Sequence, residues 1–303
     1  MKIRRRVSLC IGIVLFAVCM ATTAAEPPVG STVTAVQSPA WLVQGTFTTP
    51  LKPGVQITDG DNLRTGPAGR VYLALPEYSM VKLGEDTELA TPAMDMMHDT
   101  QGSLFKGALH ILKGVFRFTT SLIGKSMRRN VQIQVGTATI GIRGTDVWGR
   151  AGSDGDLVAL LEGKAEMQAP GHAMMMMDQP MHYMMMPKTG SMQMNVPVTQ
   201  ANLADWAAQT DVHTGAGVLT TDGQWVVALV SSTDDRETTR WMNKFAIAGY
   251  PTEDTQVMVK GREWHRLVIR QVASYQDARA LAQRLGELYP LMSPWVFKGT
   301  SKN

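Results

Sequence analysis

The sequence predicts a multi-domain protein in which an all-β sandwich or roll is followed by a smaller α+β module of βαββαβ order. Between residues 33 and 196, apolar residues occur in short runs separated by glycine, Asp-Gly and proline turn signals. Between residues 224 and 298, strand-like patterns alternate with two amphipathic helical patterns. A length of 303 residues also favours two domains over one.

Residues 1–25 are predicted to be a cleavable signal peptide. Four basic residues precede an apolar run at residues 9–20, which is too short to span a bilayer as a stable helix. Thr23, Ala24 and Ala25 then supply the small residues that signal peptidase requires. A lipoprotein anchored at Cys19 is the alternative, although Val18 stands where a small residue is needed. We therefore expect an exported, periplasmic protein with no transmembrane helix in the mature chain.

The charge and the cysteine content of the mature chain argue against several classes of protein. The formal net charge is +3 for the full chain, and removing the four basic residues of the signal leaves −1. The basic pI therefore gives no support for nucleic-acid binding. Cys10 and Cys19 both lie in the signal, so we expect no disulfide and no cysteine nucleophile in the mature protein.

The domain predicted at residues 26–197 consists of short strands, the clearest at residues 70–75, 80–83, 114–119, 131–135 and 157–161. Residues 104–113 have a pattern that also allows a helix, although the glycine content weakens that interpretation. Turn signals lie between these runs, as at Asp59-Gly60 and Asp154-Gly155.

Several stretches of this domain resemble the FecR-type periplasmic domain. They are the residues at 60–66, 81–84 and 114–118, and Ile-Gly-Ile-Arg-Gly-Thr-Asp-Val-Trp at 140–148 followed by Leu-Glu-Gly-Lys at 161–164. The resemblance implies a periplasmic β-domain that binds or positions a partner and does not catalyse a reaction. Founding members of that family relay an iron-transport signal to a sigma factor through a membrane helix and a cytoplasmic segment, and neither is predicted here.

Residues 140–146 have two interpretations, a structural corner or a ligand site, and we favour the corner. Gly141 and Gly144 would permit tight bends or a close approach of the backbone. Val147 and Trp148 would then return the chain to the sheet.

Methionines crowd a segment at about residues 172–194. Thioether and imidazole groups suit copper, so Met175, Met177, Met181 and His182 are candidate metal ligands. The alternative, which we favour, is a β-hairpin that turns at residues 178–180, with methionine as adaptable apolar filler on both arms. We expect no obligate cofactor, and copper is the one candidate.

Residues 198–223 are predicted to be a linker, with a short helix around Trp206 followed by a flexible, glycine-containing connection. The module at residues 224–303 follows. Its strands are predicted at residues 225–230, 255–259, 264–270 and 295–298. Its helices are predicted to begin at capping patterns that open at Ser232 and Ser274. This order predicts a four-stranded antiparallel sheet with both helices on one face.

The opposite face of that sheet is the predicted binding surface. Along the third strand, His265, Leu267 and Ile269 have the parity of the helix-covered core. The other parity places Trp264, Arg266 and Arg270 on the open face, and Ser231 on the neighbouring strand is added to the candidate site. An exposed indole beside guanidinium groups suits a polar polymer such as a glycan. The alternative is a solvated sheet surface without a ligand.

The residues at 224–227, 245–251, 265–269 and 273–278 resemble a SPOR domain. This resemblance implies binding to peptidoglycan glycan strands stripped of stem peptides, as found at cell-division sites. Arg266 matches the arginine common in that family. Ala228, residues 230–232 and residues 270–272 depart from its pattern, so the affinity for glycan could be reduced or carried by Trp264 and Arg270.

No nucleophile elbow, P-loop, dinucleotide fingerprint or zinc-protease motif occurs in the sequence, and we expect no enzyme. The leading hypothesis is a periplasmic binding protein that attaches to peptidoglycan through the SPOR-like module, with the FecR-like domain contacting an envelope protein. The alternative is a FecR-related envelope signalling regulator or a copper-responsive periplasmic sensor.

Overall fold

A computed structural model describes residues 30–100, 102–121 and 128–299. The predicted signal peptide lies outside the described residues. Among the described residues, no helix is both long enough and apolar enough to span a bilayer.

The larger, N-terminal body is almost entirely β-structure. Its elements are β1 Ser31–Gln37, β2 Ala40–Gln44, β3 Phe47–Pro50, β4 Gln56–Ile57, β5 Asn62–Thr65, β6 Arg70–Ala74, β7 Met80–Leu83, β8 Glu88–Asp99, β9 Gly102–Thr119, β10 Arg128–Val135, β11 Ala138–Ile142, β12 Asp146–Ala151, β13 Gly155–Glu162, β14 Ala165–Gln168, β15 Met175–Met177, β16 His182–Pro187, β17 Gln193–Pro197 and helix α1 Gln200–Thr210.

The C-terminal part continues with β18 Val218–Thr220, β19 Trp225–Ser232, α2 Asp235–Ile247, β20 Glu253–Val259, β21 Arg262–Val272, α3 Tyr275–Leu288 and β22 Trp295–Lys298.

Two sheets form the β-body and share one long strand, β9. The first sheet has the order β17-β16-β13-β12-β9-β7-β6-β1-β18. The second has the order β3-β2-β5-β8-β9-β10-β11-β14-β15. The change of sheet occurs at Gly114, whose φ of 93° bends β9 in a way that a residue with a side chain rarely adopts. The helix considered for residues 104–113 is therefore wrong, because this stretch pairs with β8 and β10.

The core lies between the two sheets. Alternate residues of β10, namely Val131, Ile133 and Val135, are buried, as the period of a strand requires. Phe105, from the first half of β9, and Phe116, from its second half, are fully buried in the same core. The predicted all-β sandwich agrees with this architecture.

Helix α1 covers the outer surface of the first sheet. The Trp206 ring stacks on the Trp148 ring at a centroid distance of 4.6 Å and an interplanar angle of 7°. The Tyr183 ring meets Trp206 edge-on at 6.0 Å. Thr199 caps the helix by accepting a hydrogen bond from the Asn202 amide. Residues 198–223 thus do not form the flexible connection expected from their glycines, because burial of Trp206 and pairing of β18 with β1 and β21 hold them in place.

The C-terminal module has the predicted βαββαβ element order. Its sheet runs β20-β21-β19-β22, and all pairs are antiparallel. Leu267 and Ile269 join Phe245 of α2 and Leu281 of α3 in one core, whereas Val268 lies on the other face. Ser274 caps α3 as predicted.

Two local predictions for this module differ from the structure. Helix α2 is capped by Asp234, whereas Ser232 donates a hydrogen bond to the Glu237 carboxylate. His265 is only half-buried, and the hydrogen bond that its Nδ1–H donates to Asp254 Oδ2, at 2.7 Å, raises the pKa of the imidazole.

Hydrogen bonds connect the module to the β-body. The Trp41 indole N–H donates to the Ala246 carbonyl at the end of α2, at 3.3 Å. The Ala40 amide donates to the Gly249 carbonyl at 3.2 Å. The buried Asp277 carboxylate of α3 accepts hydrogen bonds from the backbone amides of Gly215, Gly217 and Val218. These contacts give the module a defined position against the sandwich.

Candidate functional site

The open face of the C-terminal sheet, which is the face opposite α2 and α3, carries the residues selected from the sequence. Its centre is a small apolar cluster of Val226, Ala228, Val268 and Phe297. The alternation predicted along β21 is therefore correct for the residues around Val268. Polar and aromatic side chains surround this cluster.

Arg266 and Ser231 are brought together on the open face. The Arg266 Nε–H donates to Ser231 Oγ at 3.2 Å, and its guanidinium lies 5.3 Å from the centroid of the Trp295 ring. An irregularity in the pairing of β19 between Ala228 and Val230 precedes Ser231, which then pairs with Arg266. The other guanidinium N–H groups have no hydrogen-bond partner in the part of the chain that the structure describes. An indole ring and unused cationic donors therefore lie side by side.

The other two predicted residues lie on either side of Arg266 along β21. Trp264 is half-buried and pairs with Val257 at the outer end of the strand. Arg270 donates from Nη2 to Thr255 Oγ1 at 3.2 Å and lies 3.4 Å, from Nε, to a Glu253 carboxylate oxygen. Because Glu253 also pairs with Lys52 of the β-body at 2.8 Å, Arg270 belongs to a network that joins the two parts of the molecule.

Trp295 is the residue that the sequence analysis missed. It is 39% exposed, and the centroid of its ring lies beside the Arg266 guanidinium. The alternation of Trp295 and Phe297 in β22 could have placed both on the open face. A groove of about 680 Å³ begins at the other end of this face and is lined by Val226, Arg270 and Lys298 among others.

The methionine segment does not form the hairpin that we favoured. Met175 and Met177 lie in β15, which pairs with β14 in the second sheet. His182 lies in β16, which pairs with β13 in the first sheet, and Met181 connects the two with a φ of 60°. The two arms therefore belong to different sheets.

Several of these methionines fill the core, as the packing interpretation requires. Met177 and Met184 are buried in it, together with Met167 of β14. His182 Nδ1 lies 3.0 Å from the Pro180 carbonyl oxygen, which leaves Nε2 as its accessible nitrogen. Copper binding by Met175, Met177, Met181 and His182 stays a prediction, which titration of the purified mature chain with Cu(I) would test.

The 140–148 stretch forms a corner held by an ion pair. Arg117 donates two hydrogen bonds to Asp146, from Nε at 2.9 Å and from Nη2 at 2.6 Å. This bidentate contact raises the pKa of Arg117. Gly144 makes the bend with a φ of 77°, and β12 then carries Val147 and Trp148 into the first sheet. The corner prediction is correct for these residues.

Gly141 is in ordinary extended backbone, contrary to the tight bend or close approach expected for it. It lies within β11, between Gln132 and Glu166 of the neighbouring strands. A Cβ atom added there would meet the nearest Glu166 atom at 3.6 Å, an ordinary contact. The missing side chain opens a groove of about 280 Å³, which Arg143 and Arg129 also line.

A buried carboxylate lies in the turn between β6 and β7. Glu77 is fully buried, and neither of its oxygens has a hydrogen-bond partner within the described residues. Burial raises the pKa of Glu77, and its own backbone amide, the nearby Ser79 hydroxyl and the Arg129 guanidinium oppose this effect. Burial also lowers the pKa of Arg129.

Comparison with protein families identifies the part of the chain that contains the Arg117–Asp146 corner, the Gly141 groove and Glu77. The model of the family described as FecR protein matches residues 61–166, which extend from the start of β5 into β14. Residues 61–166 form a FecR domain. The Arg117–Asp146 corner, the Gly141 groove and Glu77 all belong to it.

The other comparisons are less informative. No curated protein matches the chain. Two crystal structures of a protein described provisionally as an anti-sigma factor, from Parabacteroides distasonis, are similar to it. The first, at 2.50 Å resolution, is 11% identical, with a TM-score of 0.40, and the match covers 76% of this chain and 91% of that one. The second, at 1.65 Å resolution, is 10% identical, with a TM-score of 0.38, and the match covers 70% and 99%.

The methionine segment and the C-terminal module both lie outside the FecR match. The comparisons give no evidence of a SPOR domain, so that resemblance, and with it peptidoglycan binding, stays a prediction.

Proposed function

We propose that this chain is an exported, non-enzymatic protein of the cell envelope that acts as a FecR-related regulator by binding a partner. The observation that carries this proposal is the FecR domain at residues 61–166. The export signal predicted at residues 1–25 supports a periplasmic location. The regulator, our alternative at the outset, thereby becomes the leading proposal.

The Gly141 groove is our candidate for the partner-binding site of the FecR domain. It lies in the stretch that carries the FecR resemblance, and its walls present both a carboxylate and guanidinium groups. Glu166 and Arg143 form an ion pair at 2.7 Å across it, with most of the Arg143 side chain exposed. A peptide segment with polar side chains could exchange with this ion pair at little cost, because exposed ion pairs contribute little to stability.

Transcript profiling of the native host tests the regulatory role. We expect deletion of the gene to change the expression of a defined gene set and the wild-type chain to restore it. Gly141→Gln, which fills the groove from unstrained strand backbone, should fail to restore it. Thr139→Gln, on the same strand and the same side of it, is the control and should restore it. An unchanged transcript profile after deletion would contradict the regulatory proposal.

Peptidoglycan binding by the C-terminal module is the second candidate. The contact of Arg266 with Ser231 and Trp295 favours it, since an indole can stack on the C–H face of a sugar while the free guanidinium donors reach hydroxyl or amide groups. Sedimentation of the mature chain with purified sacculi, intact and amidase-treated, tests it. If the protein pellets with neither preparation, glycan attachment and a role at division sites are both ruled out.

A further inference from the structure

Large apolar side chains are exposed on the helical side of the C-terminal module, away from the open face. Ile247 at the end of α2 is 81% exposed, and Leu288 at the end of α3 is 57% exposed. Leu291, in the turn that follows α3, is 94% exposed. Exposed apolar side chains are common singly, but a group on two packed helices indicates an interaction surface.

Ring contacts place the end of α3 beside the middle of α2. The Tyr289 ring, directly after Leu288, lies 5.9 Å from the Trp241 ring and 5.1 Å from the Phe245 ring. Arg284 and Leu288 share one side of α3, and the Arg284 guanidinium lies 5.9 Å from the Tyr250 ring, which follows α2. The two helices are therefore antiparallel, and Leu288 lies at the end of α3 that is beside the middle of α2.

That side of α2 is basic. Arg236, Arg240 and Lys244 recur every four residues and are all exposed, and Ile247 continues the same stripe one turn later. Lys244 Nζ lies 4.8 Å from the centroid of the Trp241 ring and 4.7 Å from that of Tyr289. One cation of this stripe thus lies over a pair of amphipathic aromatic rings.

We infer that this helical patch, defined as Arg236, Arg240, Lys244, Ile247, Leu288 and Leu291, attaches the protein to an anionic phospholipid surface. Exposed leucine and isoleucine side chains would enter the boundary between headgroups and acyl chains, and Trp241 and Tyr289 have the rings that favour this depth. The cations would contact lipid phosphates.

Acidic residues lie at the start of α2 and near the end of α3. Asp234 caps α2, Asp235 begins it beside Arg236, and Glu237 and Glu287 accept hydrogen bonds from Ser232 and Gln283. Arg240 and Lys244 lie one and two turns farther along α2, and neither has an ion-pair partner among the described residues. This inference is independent of the proposed regulatory role, because it concerns a different surface of the chain.

Flotation of the mature, full-length chain with lipid vesicles tests the inference. We use vesicles of phosphatidylcholine alone and of phosphatidylcholine with one-third phosphatidylglycerol. The wild-type chain should float with the anionic vesicles only, and physiological salt should weaken binding relative to low salt. Failure to float with anionic vesicles at low salt would overturn the inference and favour a protein partner. Equal flotation with neutral vesicles would overturn its electrostatic part.

Two double variants test the location. Leu288→Ser with Leu291→Ser should lower the partition coefficient about tenfold or more, since burying a leucine side chain is worth about 1.5–3 kcal/mol. Met174→Ser with Met176→Ser is the matched control, because these apolar side chains are 64% and 52% exposed, Met174 just before β15 and Met176 within it, at the edge of the second sheet. Equal losses in both variants, with unchanged thermal unfolding, would show that the helical patch is not the site.

The charges are tested in the same way. Arg236→Gln with Arg240→Gln should weaken binding to anionic vesicles about fivefold for each cation removed, since each is worth about 1 kcal/mol near such a surface. Lys164→Gln with Lys188→Gln, both exposed on the β-body, is the control. If the control loses as much binding as the α2 variant, attraction is not localised to the patch.

Discussion

Two arginine residues, one in each part of the molecule, differ in how their guanidinium groups are used. Arg117 of the FecR domain donates two hydrogen bonds to the Asp146 carboxylate at a largely buried corner. Arg266 of the C-terminal sheet donates once, to Ser231, and otherwise lies over the Trp295 ring at the surface. A guanidinium held by a bidentate contact with a carboxylate stabilises a fold, whereas one with most of its N–H groups unpaired remains available to a ligand.

Two tryptophan residues, one in each part of the molecule, also differ in their exposure to solvent. Trp148 is buried beneath Trp206, whereas Trp295 keeps part of its ring in solvent. We therefore expect substitutions in the FecR domain and in helix α1, which covers it, to lower stability. We expect substitutions on the open face to weaken binding.

The largest expected loss is for Trp206→Ala. It removes the ring that stacks on Trp148 and leaves a cavity under α1, which should lower the free energy of unfolding by about 3–5 kcal/mol. Chemical denaturation measures this. Phe47→Ala, at an exposed aromatic residue of β3, is the control and should change the free energy by less than about 0.5 kcal/mol. Equal costs would mean that α1 does not depend on this stack.

A smaller loss is expected for Asp146→Ala. It leaves the Arg117 guanidinium without its partner in a largely buried position, and should cost about 3 kcal/mol of unfolding free energy. Asp154→Ala breaks the exposed pair with Arg150 and should cost less than about 1 kcal/mol. If the two variants unfold at the same denaturant concentration, the corner is not held by this ion pair.

Local patterns were sufficient for the strands, because burial alternates wherever one face meets the core. The β10 residues and the β21 alternation around Val268 follow from that period alone. The helix cap at Ser274 can likewise be predicted from residues 274–277 alone.

The errors came from contacts between residues far apart in the sequence. Nothing near residue 178 indicates that Met177 pairs with Ala165 while His182 pairs with Leu160 of another sheet. The glycines at residues 215 and 217 suggested flexibility, but the Asp277 carboxylate binds their amides from α3. Strand pairing likewise decided against a helix at residues 104–113.

Glu77→Gln should instead stabilise the FecR domain. Burial raises the folded-state pKa of Glu77 above its ordinary value of 4.5, so between the two pKa values the native state holds a proton that the unfolded chain releases. The stability that this proton provides is complete below the unfolded-state pKa and is lost as the pH rises through the folded-state pKa.

At neutral pH the substitution should therefore raise the free energy of unfolding by about 1 kcal/mol, and the gain should vanish in acid. Thermal unfolding measured from acid to neutral pH checks how the free energy of unfolding changes with pH. Glu287→Gln, at an exposed residue of α3, is the control and should leave the pH profile unchanged. A parallel profile for wild type and Glu77→Gln would contradict the role assigned to burial.

The smallest effect on stability, and the sharpest test of the contrast, is expected on the open face. Arg266→Ala and Trp295→Ala should each change the free energy of unfolding by about 0.5 kcal/mol or less, because neither side chain is buried in a core.

If glycan strands bind here, each variant should weaken sedimentation with sacculi about tenfold. Arg266→Lys keeps the charge but loses the planar fork, and should retain only part of the binding. Arg240→Ala, at an exposed arginine of α2 on the opposite side of the sheet, serves as the control and should bind as the wild type does. If both open-face variants bind as well as the wild type, the unpaired N–H groups of Arg266 contact only solvent. The difference between Arg266 and Arg117 would then concern stability alone.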